Sequence, residues 1–145
     1  MELTPLTVLV GSEEPWLRDQ LRRDLELAGS HRVADACGYD EVIDLALELR
    51  PDVCLIDVDT GGGRGIVAAS VITRVLDCTS CVLLTETLSV GEVLECLRVG
   101  AAGCLPKSLE PGRLSAALCA VAAGESAFPR RELREALGFL VPQIA

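Results

Sequence analysis

Short apolar runs alternate along this chain with longer stretches in which apolar residues return every three or four positions. Leu6 to Val10 reads as a strand. Pro15 then opens a helix with Leu17, Leu21 and Leu25 at four-residue spacing, and Gly29 stops it. A second strand over Arg32 to Ala36 leads into a helix capped by Asp40, carrying Val42, Ile43, Ala46, Leu47 and Leu49 and ended by Pro51. Val53 to Asp57 is a continuous apolar run closed by an acid, as expected of a central strand covered by helices on both faces. Ile66 to Val75 is predicted helical and Cys81 to Thr85 a fourth strand. Ser89 caps a fourth helix that Gly100 stops, Gly103 to Leu105 is a short fifth strand, and Pro111 opens a fifth helix through Ala123.

Five strands and five helices in strict alternation predict an α/β fold, a doubly wound five-stranded parallel sheet of order 2-1-3-4-5 with five flanking helices. The carboxyl ends of parallel strands form one edge, and the first and third strands meet there at the switch point. Four chemically capable residues fall on that edge: Glu13, Asp57, Thr85 and Lys107. Each alone reads as a turn cap or a solvated surface group; four at four strand ends read as a site. From Glu125 onward Ser126-Ala127-Phe128-Pro129 breaks the alternation. Arg130 to Leu140 then offers Leu133, Ala136, Leu137 and Leu140 on one helical side, a linker helix, a dimer contact or a plain packing helix.

With 145 residues, half of them hydrophobic, the chain fits one compact domain with a sizeable core. A net charge of -9 argues against direct binding to nucleic acid or an anionic membrane. Scarce aromatics (Trp16, Tyr39, Phe128, Phe139) argue against base stacking. No apolar run is long enough to span a bilayer, so the protein reads as cytoplasmic. Most of the seven cysteines lie inside apolar runs, where Cys acts as a small hydrophobe. The single CxxC, Cys78 to Cys81, has no second ligand pair for zinc, and the only histidine, His31, has no Cys or His nearby in sequence. The glycine-rich loop from Asp59 to Gly65 lacks the ending of a phosphate loop and reads as turn chemistry.

Two close carboxylates repel unless a hard cation holds them, and oxygen ligands at a loop edge suit Mg²⁺ with retained waters. Glu13 and Asp57, with the backbone carbonyl of Asp59, are the candidate ligands. A carboxylate is also a nucleophile toward an aligned phosphodonor, giving an acyl phosphate. Lys107 then pairs with phosphoryl oxygens and Thr85 donates its hydroxyl.

The segments Val8-Leu9-Val10-Gly11-Ser12-Glu13-Glu14-Pro15, Arg50-Pro51-Asp52-Val53-Cys54-Leu55-Ile56-Asp57, Val82-Leu83-Leu84-Thr85 and Gly100-Ala101-Ala102-Gly103-Cys104-Leu105-Pro106-Lys107-Ser108 resemble the receiver domain of bacterial two-component response regulators. The resemblance covers about residues 6 to 124. Gly-Ala-Ala-Gly before the lysine and Ala-Val-Ala-Ala-Gly-Glu at 120–125 resemble the subclass with LuxR-type (NarL/FixJ-like) helix-turn-helix output.

That resemblance implies a flavodoxin-like fold with residues 1–124 as receiver and 125–145 as a C-terminal linker or helix. It implies a signalling module rather than an enzyme. Asp57 becomes the phosphoacceptor, Thr85 the switch hydroxyl and Lys107 the phosphoryl-pairing amine, with a sensor histidine kinase as donor and a homodimer as output. DNA would be reached only through an output domain that 130–145 is too short to form, leaving a receiver fragment or a stand-alone receiver. Departures stand out against the family pattern. Receivers usually carry two adjacent acids where this chain has Ser12 and Glu13, which leaves Ser12 to hold a metal-bound water. Glu86 replaces a small residue, Cys104 an aromatic one, and Gly61 a proline. They motivate a rival: a receiver-like module that signals by protein or ligand binding without phosphorylation. An unrelated ligand binder of the same fold finds no positive signal, since no histidine is suitably placed for cobalamin and few aromatics could sandwich a flavin.

Overall fold

The computed structural model of the chain describes residues 5–29 and 31–140. Strands β1 (Thr7–Gly11), β2 (Arg32–Cys37), β3 (Val53–Asp57), β4 (Ser80–Thr85) and β5 (Gly103–Pro106) alternate with helices α1 (Pro15–Gly29), α2 (Tyr39–Leu49), α3 (Arg64–Val75), α4 (Val90–Val99) and α5 (Pro111–Ala122), and α6 (Arg130–Leu140) comes last. The sheet is parallel throughout, in the order β2-β1-β3-β4-β5. This is the order that alternation predicted.

Strand alternation divides the core in two. Leu9, Cys54, Ile56, Cys81, Leu83 and Cys104 point to one face and pack with Val42 and Ala46 of α2, Ala69 and Ile72 of α3, and Cys96 of α4. Val8, Val10, Val53, Leu55, Val82 and Leu84 point to the other and pack with Leu17, Leu21 and Leu25 of α1 and Leu114 and Leu118 of α5. β3 lies in the middle and is buried at every position, so its residues must be apolar or fully paired. The one charged residue it carries, Asp57, is therefore held by partners on all sides.

One local expectation is corrected. Asp40 does not cap α2: Gly38 is the N-cap, with extended backbone, and Asp40 sits in the first turn. An acid there is favoured by the helix dipole, and Arg64 also binds it. The segment 126–129, where the alternation breaks as expected, is held against the sheet. The N–H of Cys104 donates to the Ala127 carbonyl at 2.9 Å, and the Ala127 N–H donates to the Ala102 carbonyl at 2.9 Å, pinning the segment along the open edge of β5. Gly103 permits this approach, since a Cβ there would lie 2.6 Å from the Ala127 oxygen. So placed, the chain turns into α6, a sixth helix beyond the five alternating ones. α6 packs against α4 and buries Ala136, while Leu137 and Phe139 stay exposed.

Ser89 caps α4 by accepting the Glu92 N–H at 3.2 Å, and Gly100 ends it at φ 82°. The strand-end loops thus start from well-anchored elements.

Candidate functional site

Asp57 ends β3 with its side chain fully buried. A buried carboxylate is tolerated only when its oxygens are satisfied. One oxygen, Oδ1, is 2.8 Å from the Lys107 ammonium and accepts the Asp59 N–H at 2.9 Å; the other, Oδ2, accepts the Ser12 hydroxyl at 2.8 Å. Ser12 in turn accepts the Glu14 N–H at 3.1 Å, which fixes its hydroxyl proton toward Asp57. Ser12 thus meets Asp57 directly, where the sequence suggests contact through a metal-bound water.

Thr85, at the end of β4, does not reach Asp57. Its hydroxyl donates to Asp59 Oδ1 at 3.0 Å, and the adjacent Glu86 N–H donates to Asp59 Oδ2 at 2.8 Å. Lys107, just past β5, bridges the two acids, with Asp59 Oδ2 at 2.7 Å and Asp57 Oδ1 at 2.8 Å. Burial alone raises the Asp59 carboxyl, but the Lys107, Glu86 and Thr85 hydrogen bonds outweigh it and hold Asp59 below the ordinary carboxylate range. Burial alone lowers Lys107, and its bonds to Asp57 and Asp59 outweigh that and raise it. Both groups are held in their charged forms.

Glu13 is engaged by partners from α2 and α3. Its Oε1 accepts the Tyr39 N–H at 3.3 Å and pairs with the Arg64 guanidinium at 3.3 Å. Arg64 also binds Asp40 and lies over the Tyr39 ring, 5.8 Å from its centroid. The Tyr39 hydroxyl donates to the backbone carbonyl of Asp57 and neighbours the Thr60 hydroxyl at 3.1 Å. Room for that ring comes from the glycine-rich loop. A Cβ on Gly61, itself at φ 77°, would lie 2.6 Å from the ring, and a Cβ on Gly65 would lie 2.6 Å from the Asp57 carbonyl oxygen. Tyr39, Arg64 and the Asp59 side chain are the three residues that sequence reasoning missed. The glycines were the signal for Tyr39, because small residues clustered beside a strand end mark a close approach of something large.

The oxygen donors of Asp57, Glu13 and the Asp59 carbonyl have the hard character that Mg²⁺ selects, and Mg²⁺ keeps several waters at such sites. The donor chemistry fits. Its charge count is low, however, because Glu13 is engaged by Arg64 and Asp57 by Lys107. Among the described residues no three His, Cys, Asp or Glu side chains gather as a metal cluster.

Cys37, Cys54 and Cys96 are buried free thiols. Burial, then nearby Asp35, pushes the Cys37 thiol up to about 12. Hydrogen bonding to Cys81, then burial, raises Cys54, and the Cys104 contact followed by burial raises Cys96. Thiols held protonated are poor nucleophiles and metal ligands, in keeping with a packing role.

A family model described as the response regulator receiver domain matches residues 8–119, so the chain belongs to that family. Nitrate/nitrite response regulator protein NarP of Escherichia coli is 33% identical over 131 residues, which are 90% of this chain and 61% of that protein. The chain thus spans about three fifths of that relative's length. Among solved structures, a LuxR-family two-component response regulator from Aurantimonas sp. SI85-9A1 superposes with a TM-score of 0.81 at 26% identity, covering 95% of this chain and 99% of that one. The signal receiver domain of a response regulator designated NarL from Mycobacterium tuberculosis gives 0.77 at 27% identity, covering 83% and 98%. The fold, the family and its NarL/LuxR-type membership agree. Receiver domains are signalling modules that as a class bind Mg²⁺ at their acidic site and work with histidine kinases. No helix among the described residues is long and apolar enough to cross a membrane.

Proposed function

We propose that Asp57 accepts a phosphoryl group and that the modification switches an output surface for transcriptional control. The observation that carries this reading is the buried Asp57 carboxylate facing the Lys107 ammonium at 2.8 Å across two strand ends. An Asp57 oxygen attacks phosphorus in line, the bond from phosphorus to the donor's leaving atom breaks, and the donor departs with that electron pair. Lys107 receives the negative phosphoryl oxygens, and Ser12 orients the carboxylate through its hydrogen bond. Mg²⁺, when bound, would be held by Asp57, Glu13 and the Asp59 carbonyl and would offset phosphoryl charge.

The new charge of about -2 competes for Lys107, Thr85 and the Glu86 N–H. These groups sit at the ends of β4 and β5, directly before α4 and α5, so the α4–β5–α5 face is the surface that responds. α6 packs on α4 and Ala127 pairs beside β5, which supports a connector role for the segment after the receiver. A sensor histidine kinase in the cytoplasm supplies the phosphoryl group, and the responsive face serves homodimerisation. DNA contact belongs to a further domain, not to this acidic one. The test is intact-mass analysis after incubation with acetyl phosphate and Mg²⁺: a phosphoryl adduct is expected in the wild type and none in Asp57→Ala. No adduct, or one that survives Asp57→Ala, would end this reading.

A further inference from the structure

Asp59 stands two residues beyond the acceptor and receives three donors, none of them from its own loop. The Thr85 hydroxyl at 3.0 Å and the Glu86 N–H at 2.8 Å come from the end of β4, and the Lys107 ammonium at 2.7 Å from the end of β5. Lys107 also lies 2.8 Å from the Asp57 oxygen that it faces, so the Asp59 carboxylate sits one ammonium away from the nucleophile. A hydroxyl, a backbone N–H and an ammonium converging beside a nucleophilic carboxylate are the donors that an incoming phosphoryl group needs. Here an anion already fills their reach.

We propose that Asp59 is a resident stand-in for the phosphoryl group. Its carboxylate holds Thr85, the Glu86 N–H and Lys107 engaged before any transfer, and it slows acceptance at Asp57 because the same donors must first be released. The second half rests on the reading of Asp57 as acceptor. Like-charge repulsion adds to the competition, since the arriving phosphoryl group meets a carboxylate where it needs donors alone. The side chain is partly exposed, so it has somewhere to swing when displaced.

The loop after β4 is tied down without phosphorylation, and a single charge, two residues from the acceptor, sets how readily the switch can be thrown. Asp59 acts here as a positioning residue. It touches no transferred atom, and its effect passes through Thr85, Glu86 and Lys107.

The experiment uses the whole chain with Asp59→Ala and Asp59→Asn, the latter keeping an acceptor oxygen and the side-chain volume while losing the charge. Amide hydrogen exchange at Glu86, measured by NMR without any phosphodonor, should be about tenfold faster in Asp59→Ala than in the wild type. Adduct formation from acetyl phosphate, tracked by intact mass, should be about tenfold faster in Asp59→Ala and intermediate in Asp59→Asn. A merely structural Asp59 would lower the melting temperature and leave the adduct rate unchanged or reduced, which would overturn the proposal. Unchanged exchange at Glu86 would overturn it too, whatever Asp57 does. No adduct in any of the three proteins would refute the acceptor reading and, with it, the competition. Those failures are therefore told apart by which signal is missing.

Discussion

Asp57 and His31 show how a buried polar residue is accommodated by partners for its polar atoms. Both oxygens of Asp57 are satisfied, by Lys107, Ser12 and the Asp59 N–H. His31 stays neutral. Its Nδ1 accepts the Leu6 N–H at 3.0 Å, which leaves the proton on Nε2 to be shared with Ser115 Oγ at 2.7 Å. A second proton would have to point at the Leu6 N–H, and burial lowers the His31 pKa from 6.5. The unfolded chain therefore takes up that proton more readily than the fold does, so the stabilising contribution is present above about pH 6.5 and is lost as pH falls below it. Urea denaturation between pH 7.5 and 5 should show wild-type stability falling more steeply than that of His31→Gln; parallel profiles would sink the assignment. Cys119, absent from the local sequence of His31, lies with its Sγ 4.0 Å from Nε2, but a lone thiol held protonated does not turn this pair into a metal or catalytic site.

Among the elements, β5 and the segment leading from it into α6 depart most from expectation. The strand is short and would be an open edge, yet Ala127 pairs with it and Gly103 leaves room for the approach. Gly103→Ala should push the Ala127 backbone away, since its Cβ would stand 2.6 Å from the carbonyl oxygen. The expected result is faster amide exchange at Cys104 and Ala127, together with protease cutting before α6. Unchanged exchange at both would show that the segment is held by other contacts. The strands and helices themselves were legible because each is a local periodicity: two for the strands that split the core, near 3.6 for Leu17, Leu21 and Leu25. The Asp40 cap was misassigned because Gly38, with its extended backbone, ends the preceding turn without any side-chain signature.

For the molecule as a whole, charge placement governs how the site can work. The chain carries a net -9, yet Arg64 at the start of α3 ties down Glu13 and Asp40 on the rim of the site. These pairs are exposed, so each contributes little to stability and opens readily. Arg64 occupies Glu13, one of the acids proposed to hold Mg²⁺, and its own charge repels a cation. Arg64→Gln should therefore bind Mg²⁺ more tightly, by about three- to tenfold in a calorimetric titration. Weaker or equal binding would remove Glu13 from the metal-side assignment.

Taken alone, the sequence determined the five-stranded parallel fold, the edge on which chemistry gathers, and the residues Asp57, Thr85 and Lys107 standing on it, because period, strand ends and family motifs are local properties of the chain. Only the tertiary structure decided who binds whom on that edge. Thr85 meets Asp59 rather than Asp57, Ser12 meets Asp57 directly, and Glu13 goes to Arg64. His31 finds Ser115, 84 residues away. The physical reason is reach. A hydrogen bond tolerates only a few tenths of an ångström, and loop conformations of two or three strand ends, together with the glycines that let Tyr39 in, set those distances jointly.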